Sequence, residues 1–176
     1  MSPLQYFRWR WGTRRAALAT IRHLDRLGQQ PSTLVDAGAR NSEFMEHLAL
    51  RWPKAKVHSF EMNHDCTPLG ELHLGRLGKD HHLADYTFDR PALLKLDVDA
   101  DVMTVLRTTD LAAFEWVVIE ITQEGTNGIP NNRSEITQMM YQAGFWKSHA
   151  VDAVVCVLEH RIAQTDVLFW RPQLRG

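Results

Sequence analysis

The sequence predicts an α/β fold: a doubly wound, mostly parallel sheet that ends in an antiparallel C-terminal edge pair. Three observations carry this. Short apolar runs alternate with segments of helical spacing between Thr33 and Ala143, the signature of a parallel sheet with crossover helices. Most of these runs end in a polar residue, at Asp36, Glu61, Asp97 and Glu120. The last two runs, His149–Leu158 and Thr165–Trp170, follow one another across a polar connector with no helix between them, as an antiparallel edge requires.

The elements follow in order. Residues 1–12 interleave Arg8 and Arg10 with Tyr6, Phe7, Trp9 and Trp11. Such a mixture can stack on bases or sugars, but its plainer reading is an amphipathic lead-in packed on the domain. Thr13 to Leu27 places Ala17, Leu18, Ile21 and Leu24 at helical spacing, with Gly28 after the last turn. Thr33–Ala37 reads as the first strand, followed by glycine and a helix beginning near Ser42. Lys56–Phe60 alternates as the second strand and ends at Glu61. Asn63–Leu77 is expected to be helical, although Gly70 and Gly75 weaken it. Residues 79–90 are a polar loop. Ala92–Leu96 is a strand, Val102–Leu106 a helix, and Trp116–Ile121 a buried strand. Gly125–Asn132 is a loop, and Ser134–Ala143 a helix with Gly144 at its C-terminal cap. The organisation is a lead-in and helix over 1–30, then a single domain over 31–176.

Composition narrows the function classes. With 176 residues, one core is sufficient without staples. A net charge of -1 favours neither nucleic acid nor an anionic membrane as partner. The longest apolar runs are too short to span a bilayer. Only two cysteines, Cys66 and Cys156, are present, which fits a reducing, cytoplasmic setting and small buried side chains. The nine histidines show no zinc-type spacing, so no metal is expected, and His81 and His82 read as exposed loop residues.

In doubly wound sheets, ligands bind at the carboxyl ends of the strands where the strand order switches. Gly38 in the first turn permits a close approach or a positive φ. Ser42 is placed to cap the helix that follows. Free amides there would favour an anionic group. Glu61, 25 residues beyond Asp36, ends strand two, where a carboxylate accepts both hydroxyls of a ribose. Together these residues describe a nucleoside-containing ligand. Lys95 lies inside an apolar strand, which is costly unless it is paired. Asp97 or Glu120 is the expected partner.

The runs VDAGARNSEF, VHSFEMN, LLKLDVDAD, WVVIEIT and DVLFWRP, in this order, resemble the FkbM family of S-adenosylmethionine-dependent methyltransferases. The resemblance spans about residues 30 to 172. It implies a Rossmann-like sheet, S-adenosylmethionine as cofactor, and methylation of a hydroxyl on a small molecule such as a sugar or polyketide. Cofactor contacts would come from Asp36, Gly38, Ala39, Arg40, Ser42, Glu61, Met62 and Asp97. Asp97, Asp99 and Glu120 are the candidate catalytic carboxylates. The chain departs from the family at Arg40 and Ser42, where asparagine and glycine are usual, and at Ala100 and Val102, where glycine and glutamate are usual. The span between Glu61 and Pro91 is short for a full βα unit, so that unit is expected to be reduced or missing. Strand two would then lie at an edge, open to a second copy or covered by the polar loop. Two other classes are consistent with parts of this pattern. One is a methyltransferase-like binding or assembly module without activity. The other is a nicotinamide-dependent oxidoreductase, disfavoured because no Gly-x-Gly-x-x-Gly follows the first strand.

Overall fold

The structure, a computed structural model, describes residues 3–98, 102–122, 133–156 and 161–171. Asp99, residues 123–132, where a loop is expected over Gly125–Asn132, and the side chains of 1–12 lie outside the described residues. The chain runs α1 (Pro3–Arg26), β1 (Thr33–Ala37), α2 (Glu43–Arg51), β2 (Lys56–Glu61), β3 (Glu71–Leu74), β4 (Ala92–Leu96), α3 (Val102–Thr108), β5 (Trp116–Thr122), α4 (Arg133–Gln142), β6 (Lys147–Cys156) and β7 (Arg161–Trp170). Short 3-10 turns lie at Leu83–Asp85 and Leu111–Ala113. All seven strands form one sheet in the order β3-β2-β1-β4-β5-β7-β6. The first five are mutually parallel, while β7 pairs antiparallel with both β5 and β6. The α/β doubly wound sheet and its antiparallel C-terminal pair are therefore as the sequence predicts. None of the described helices is long and apolar enough to cross a membrane.

The central strands are buried on both faces, which explains why they are mostly apolar, with Asp36 and Lys95 as buried charged exceptions. One face of the sheet carries Val35, Ala37, Leu94, Leu96, Val117 and Ile119, packed with side chains of α3 and α4. The other carries Leu34, Leu93, Trp116, Val118 and Leu168, covered by Ala17, Ile21 and Leu24 of α1 and Phe44, Met45 and Leu48 of α2. Each fully buried leucine in these layers contributes about 1.5–3 kcal/mol. The lead-in and first helix of the sequence reading are one helix, because α1 is continuous from Pro3.

The expectation for 63–77 fails. No helix forms there. The chain loops and then makes a four-residue strand, β3, parallel to β2 with His58 opposite Glu71 and Phe60 opposite His73. Gly70 shows why a helix is excluded. Its φ is +82°, and a Cβ on it would sit 2.3 Å from the carbonyl oxygen of Val57, so the loop crosses β2 at a distance only glycine tolerates. The third unit is thus reduced rather than absent: β3 has no preceding helix and only a 3-10 turn after it. Strand two is consequently not an edge, since β3 covers it. The short span leaves room for a strand because an edge strand wetted on one side needs no continuous apolar run. Glu71, Leu72 and Leu74 are exposed and only His73 is half-buried.

Candidate functional site

The strand order reverses between β1 and β4, and at their carboxyl ends the chain forms a cleft of about 100 Å3 that opens to solvent. Its walls include Gly38 and Arg40 after β1, Phe60, Glu61 and Met62 at the end of β2, Gly75, Arg76 and Leu77 after β3, and Asp97 and Val98 after β4. A second, smaller cavity of about 20 Å3 lies beneath the first turn, lined by Thr13 of α1 together with Asp36, Ala39, Ser42, Phe44, Lys95 and Asp97. Gly38, Arg40 and Asp97 border both.

The first turn is pulled tightly under the end of β2. Gly38 has φ +82°, and a Cβ on it would lie 1.9 Å from the backbone oxygen of Asp97. The glycine is therefore required by the contact between two strand ends, not by room for a ligand. Gly38 N and Ala39 N both donate to Phe60 O, Arg40 N donates to Glu61 Oε2 at 2.7 Å, and Ser42 N donates to Ala39 O. The expectation of free amides for an anion fails at these four positions, because the protein satisfies them itself. Ser42 does not cap α2 with its side chain. Its hydroxyl instead accepts from Leu69 N and lies 3.5 Å from Ser59 Oγ, tying the turn to the loop before β3. Arg40 and Ser42 both take left-handed φ values, +46° and +56°, which side-chain-bearing residues rarely adopt.

Glu61 is 7% exposed and aligned by two backbone donors, Arg40 N on Oε2 and Asn63 N on Oε1 at 2.8 Å. A carboxylate has about four acceptor positions, so these bonds orient the group toward the cleft without using up its capacity. Met62 is exposed at the rim.

Asp36 and Lys95 face each other across β1 and β4, where they are Cα partners. Asp36 is fully buried, and its Oδ2 has no hydrogen-bond partner among the described residues. Burial pushes its carboxyl up to about 6, Lys95 and the Ser42 hydroxyl pull it back down, and Asp97 and Glu61 raise it. Lys95 donates to Asp97 Oδ2 at 2.7 Å. Burial opposes its charge, but Asp97, Asp36 and Asp166 outweigh that and hold it above the usual lysine range. The partner is thus Asp97 of the two expected. Glu120 stands on β5 opposite Asp166 of β7, half-buried, and is not among the described walls of either cavity. Asp99 lies outside the described residues. Cys66 is half-buried, and burial pushes its thiol up, away from nucleophilic reactivity. His81 is not a free loop residue. One ring nitrogen meets Leu74 O at 3.0 Å and the other Tyr86 Oη at 2.8 Å.

Sequence reasoning missed Phe60, Gly75, Arg76, Leu77 and Val98. Phe60 and Val98 adjoin residues it did find. Gly75–Leu77 left no usable signal, because that stretch read as helix.

No family model matches the chain, and no curated protein matches it. In three dimensions it is similar to several methyltransferases. For the precorrin-6y C5,15-methyltransferase of Geobacter metallireducens, identity is 10% and the TM-score 0.54, over 89% of this chain and 87% of that one. For the methyltransferase domain of bacterial CtHen1, identity is 8% and the TM-score 0.59, over 90% and 99%. For the plantazolicin methyltransferase BpumL in complex with SAH, identity is 9% and the TM-score 0.52, over 94% and 85%. At these identities the likeness establishes the fold, a Rossmann-like mixed sheet shared with methyltransferases.

Proposed function

We propose that this chain binds S-adenosylmethionine and transfers its methyl group to a hydroxyl of a small molecule, as an FkbM-type O-methyltransferase would. The observation that carries the reading is Glu61: a buried carboxylate at the end of β2, oriented by two backbone amides, on the wall of the main cleft. That is the environment in which a carboxylate accepts two ribose hydroxyls. The unpartnered Oδ2 of Asp36 in the adjoining cavity suits the cofactor's ammonium end. Phe60, Met62, Arg76 and Leu77, which line the same cleft, are the residues this reading assigns to the adenine.

The cofactor supplies an electrophilic methyl group. The protein's own part is to orient the acceptor and exclude water, an effect that can account for much of the rate. Asp97 borders both cavities, and its Oδ2 is engaged by Lys95 Nζ, so its other oxygen is the one assigned to receive the acceptor's proton. Asp99 and Glu120 are the next candidates for that role.

Calorimetric titration with S-adenosylmethionine tests the reading. Two charge-assisted hydrogen bonds at about 1.5–3 kcal/mol each mean that Glu61→Ala should weaken binding by at least about tenfold while the variant still melts cooperatively. Equal affinity in parent and variant would sink the assignment. The alternative, a binding or assembly module without catalysis, draws on the self-satisfied turn amides and the left-handed Arg40 and Ser42. It is favoured if the parent binds no S-adenosylmethionine at all.

A further inference from the structure

On the outer part of the sheet, behind the cleft-wall residue Phe60, three side chains from two strands converge. In the parallel pairing of β2 and β3, His58 lies opposite Glu71, and His73 is two residues further along β3. All three therefore project from the same face of the sheet. His58 Nδ1 is 3.3 Å from His73 Nε2 and 3.4 Å from Glu71 Oε2, and His73 Nε2 is 3.8 Å from Glu71 Oε1. One donor atom from each residue lies within 4.8 Å of the others.

We propose that His58, Glu71 and His73 form a binding site for a divalent transition cation of the zinc class. The spacing carries this. Donor atoms on a tetrahedral ion with bonds of about 2.0–2.1 Å lie about 3.3–3.4 Å apart. The contacts of His58 with His73 and with Glu71 have that separation, and rotation of the exposed Glu71 carboxylate closes the third edge. The donor chemistry, two imidazoles and one carboxylate, selects zinc or its first-row neighbours over calcium or magnesium, which prefer all-oxygen shells.

The rings are already held in place. His73 stacks on Phe60 with centroids 4.5 Å apart, and His58 meets Phe88 edge-on at 5.4 Å. The histidine side chains are 16% and 12% exposed, whereas Glu71 is 65% exposed. Solvent therefore reaches the site from the Glu71 side, which gives an entry path and room for water as the remaining ligand. The alternative use of the same geometry is a ring-to-ring hydrogen bond that shares one proton. A bound cation replaces that proton and links the four-residue β3 to β2. This would fix the strand from which Gly75, Arg76 and Leu77 continue into the cleft wall.

The test is calorimetric titration of the chelator-treated, dialysed full chain with Zn2+, paralleled by Co2+ absorption spectroscopy. The parent should take up one equivalent of Zn2+, and Co2+ should give the intense visible bands of a tetrahedral site. His58→Ala and His73→Phe, the second keeping a ring on Phe60, should abolish both signals. Glu71→Gln should weaken Zn2+ binding by at least about tenfold. Because Glu71 is exposed, that variant folds irrespective of the histidines and decides the matter even if they prove structural. Absence of a saturable equivalent in the parent, or unchanged Zn2+ affinity in Glu71→Gln, overturns the proposal.

Discussion

Substituting Asp36 by asparagine isolates the cost of holding a carboxylate in the core. The carboxyl stands near 6 in the fold against 3.8 in the open chain, chiefly because burial penalises its charge. Ionising it in the fold therefore costs about 3 kcal/mol more than in the unfolded chain, at 1.36 kcal/mol for each tenfold change. The direction in pH follows from the raised value. Below about pH 3.8 both states hold the proton, and the group has no net effect. Between about pH 3.8 and 6 the unfolded chain ionises first, so the folded state loses stability. Above about pH 6 the loss levels off. Asparagine copies the protonated shape and does not titrate. Asp36→Asn should therefore match the parent near pH 3.5 and exceed it by up to about 3 kcal/mol at pH 7. Lys95 stays charged throughout, because Asp97 and Asp166 still support it. Urea unfolding of both proteins across this pH range measures the difference, and other carboxylates cancel from it. A difference that does not grow with pH, or a variant less stable than the parent at pH 7, refutes the reasoning. The same substitution should weaken S-adenosylmethionine binding if the unpartnered Oδ2 meets the cofactor. Such a stability gain at the expense of binding is the usual signature of a functional buried charge.

Other outcomes are expected at neighbouring positions. Gly38→Ala places a methyl group 1.9 Å from a backbone oxygen at φ +82°. It should lower unfolding free energy by at least about 3 kcal/mol or prevent folding, read by urea denaturation. Lys95→Met leaves Asp97 and the buried Asp36 without their cation. It should cost about 3–5 kcal/mol at pH 7, and the deficit should shrink as the pH falls from 7 toward about 6, because without Lys95 the Asp36 carboxyl takes up its proton at a higher pH than in the parent; a deficit independent of pH would count against the pairing. Arg40→Asn keeps a residue that tolerates the left-handed region and introduces the side chain usual in the FkbM family, which the sequence resembles. Calorimetry should show tighter S-adenosylmethionine binding, and unchanged affinity would show that the native turn already fits its ligand.

The sequence by itself determined the sheet. Thr33–Ala37 and Ala92–Leu96 are read to the residue, because a strand buried on both faces is mostly apolar, and that demand is local. It also located Glu61, Asp36 and Asp97, since a polar residue ending such a run stands at a strand's carboxyl end. It could not decide which groups those residues would meet. The Asp97 partner of Lys95, the use of the turn amides by Phe60 and Glu61, and the role of Gly38 as a contact between strand ends depend on β1, β2 and β4 lying side by side. The third strand failed for a related reason. An edge strand such as Glu71–Leu74 draws its stability from hydrogen bonds to β2 rather than from apolar side chains, so its sequence carries little of the pattern that marks a core strand. The cluster of His58 with Glu71 and His73 belongs to that same hidden pairing. Its members are 13 and 15 residues apart in the chain and become neighbours only when β3 takes its register on β2.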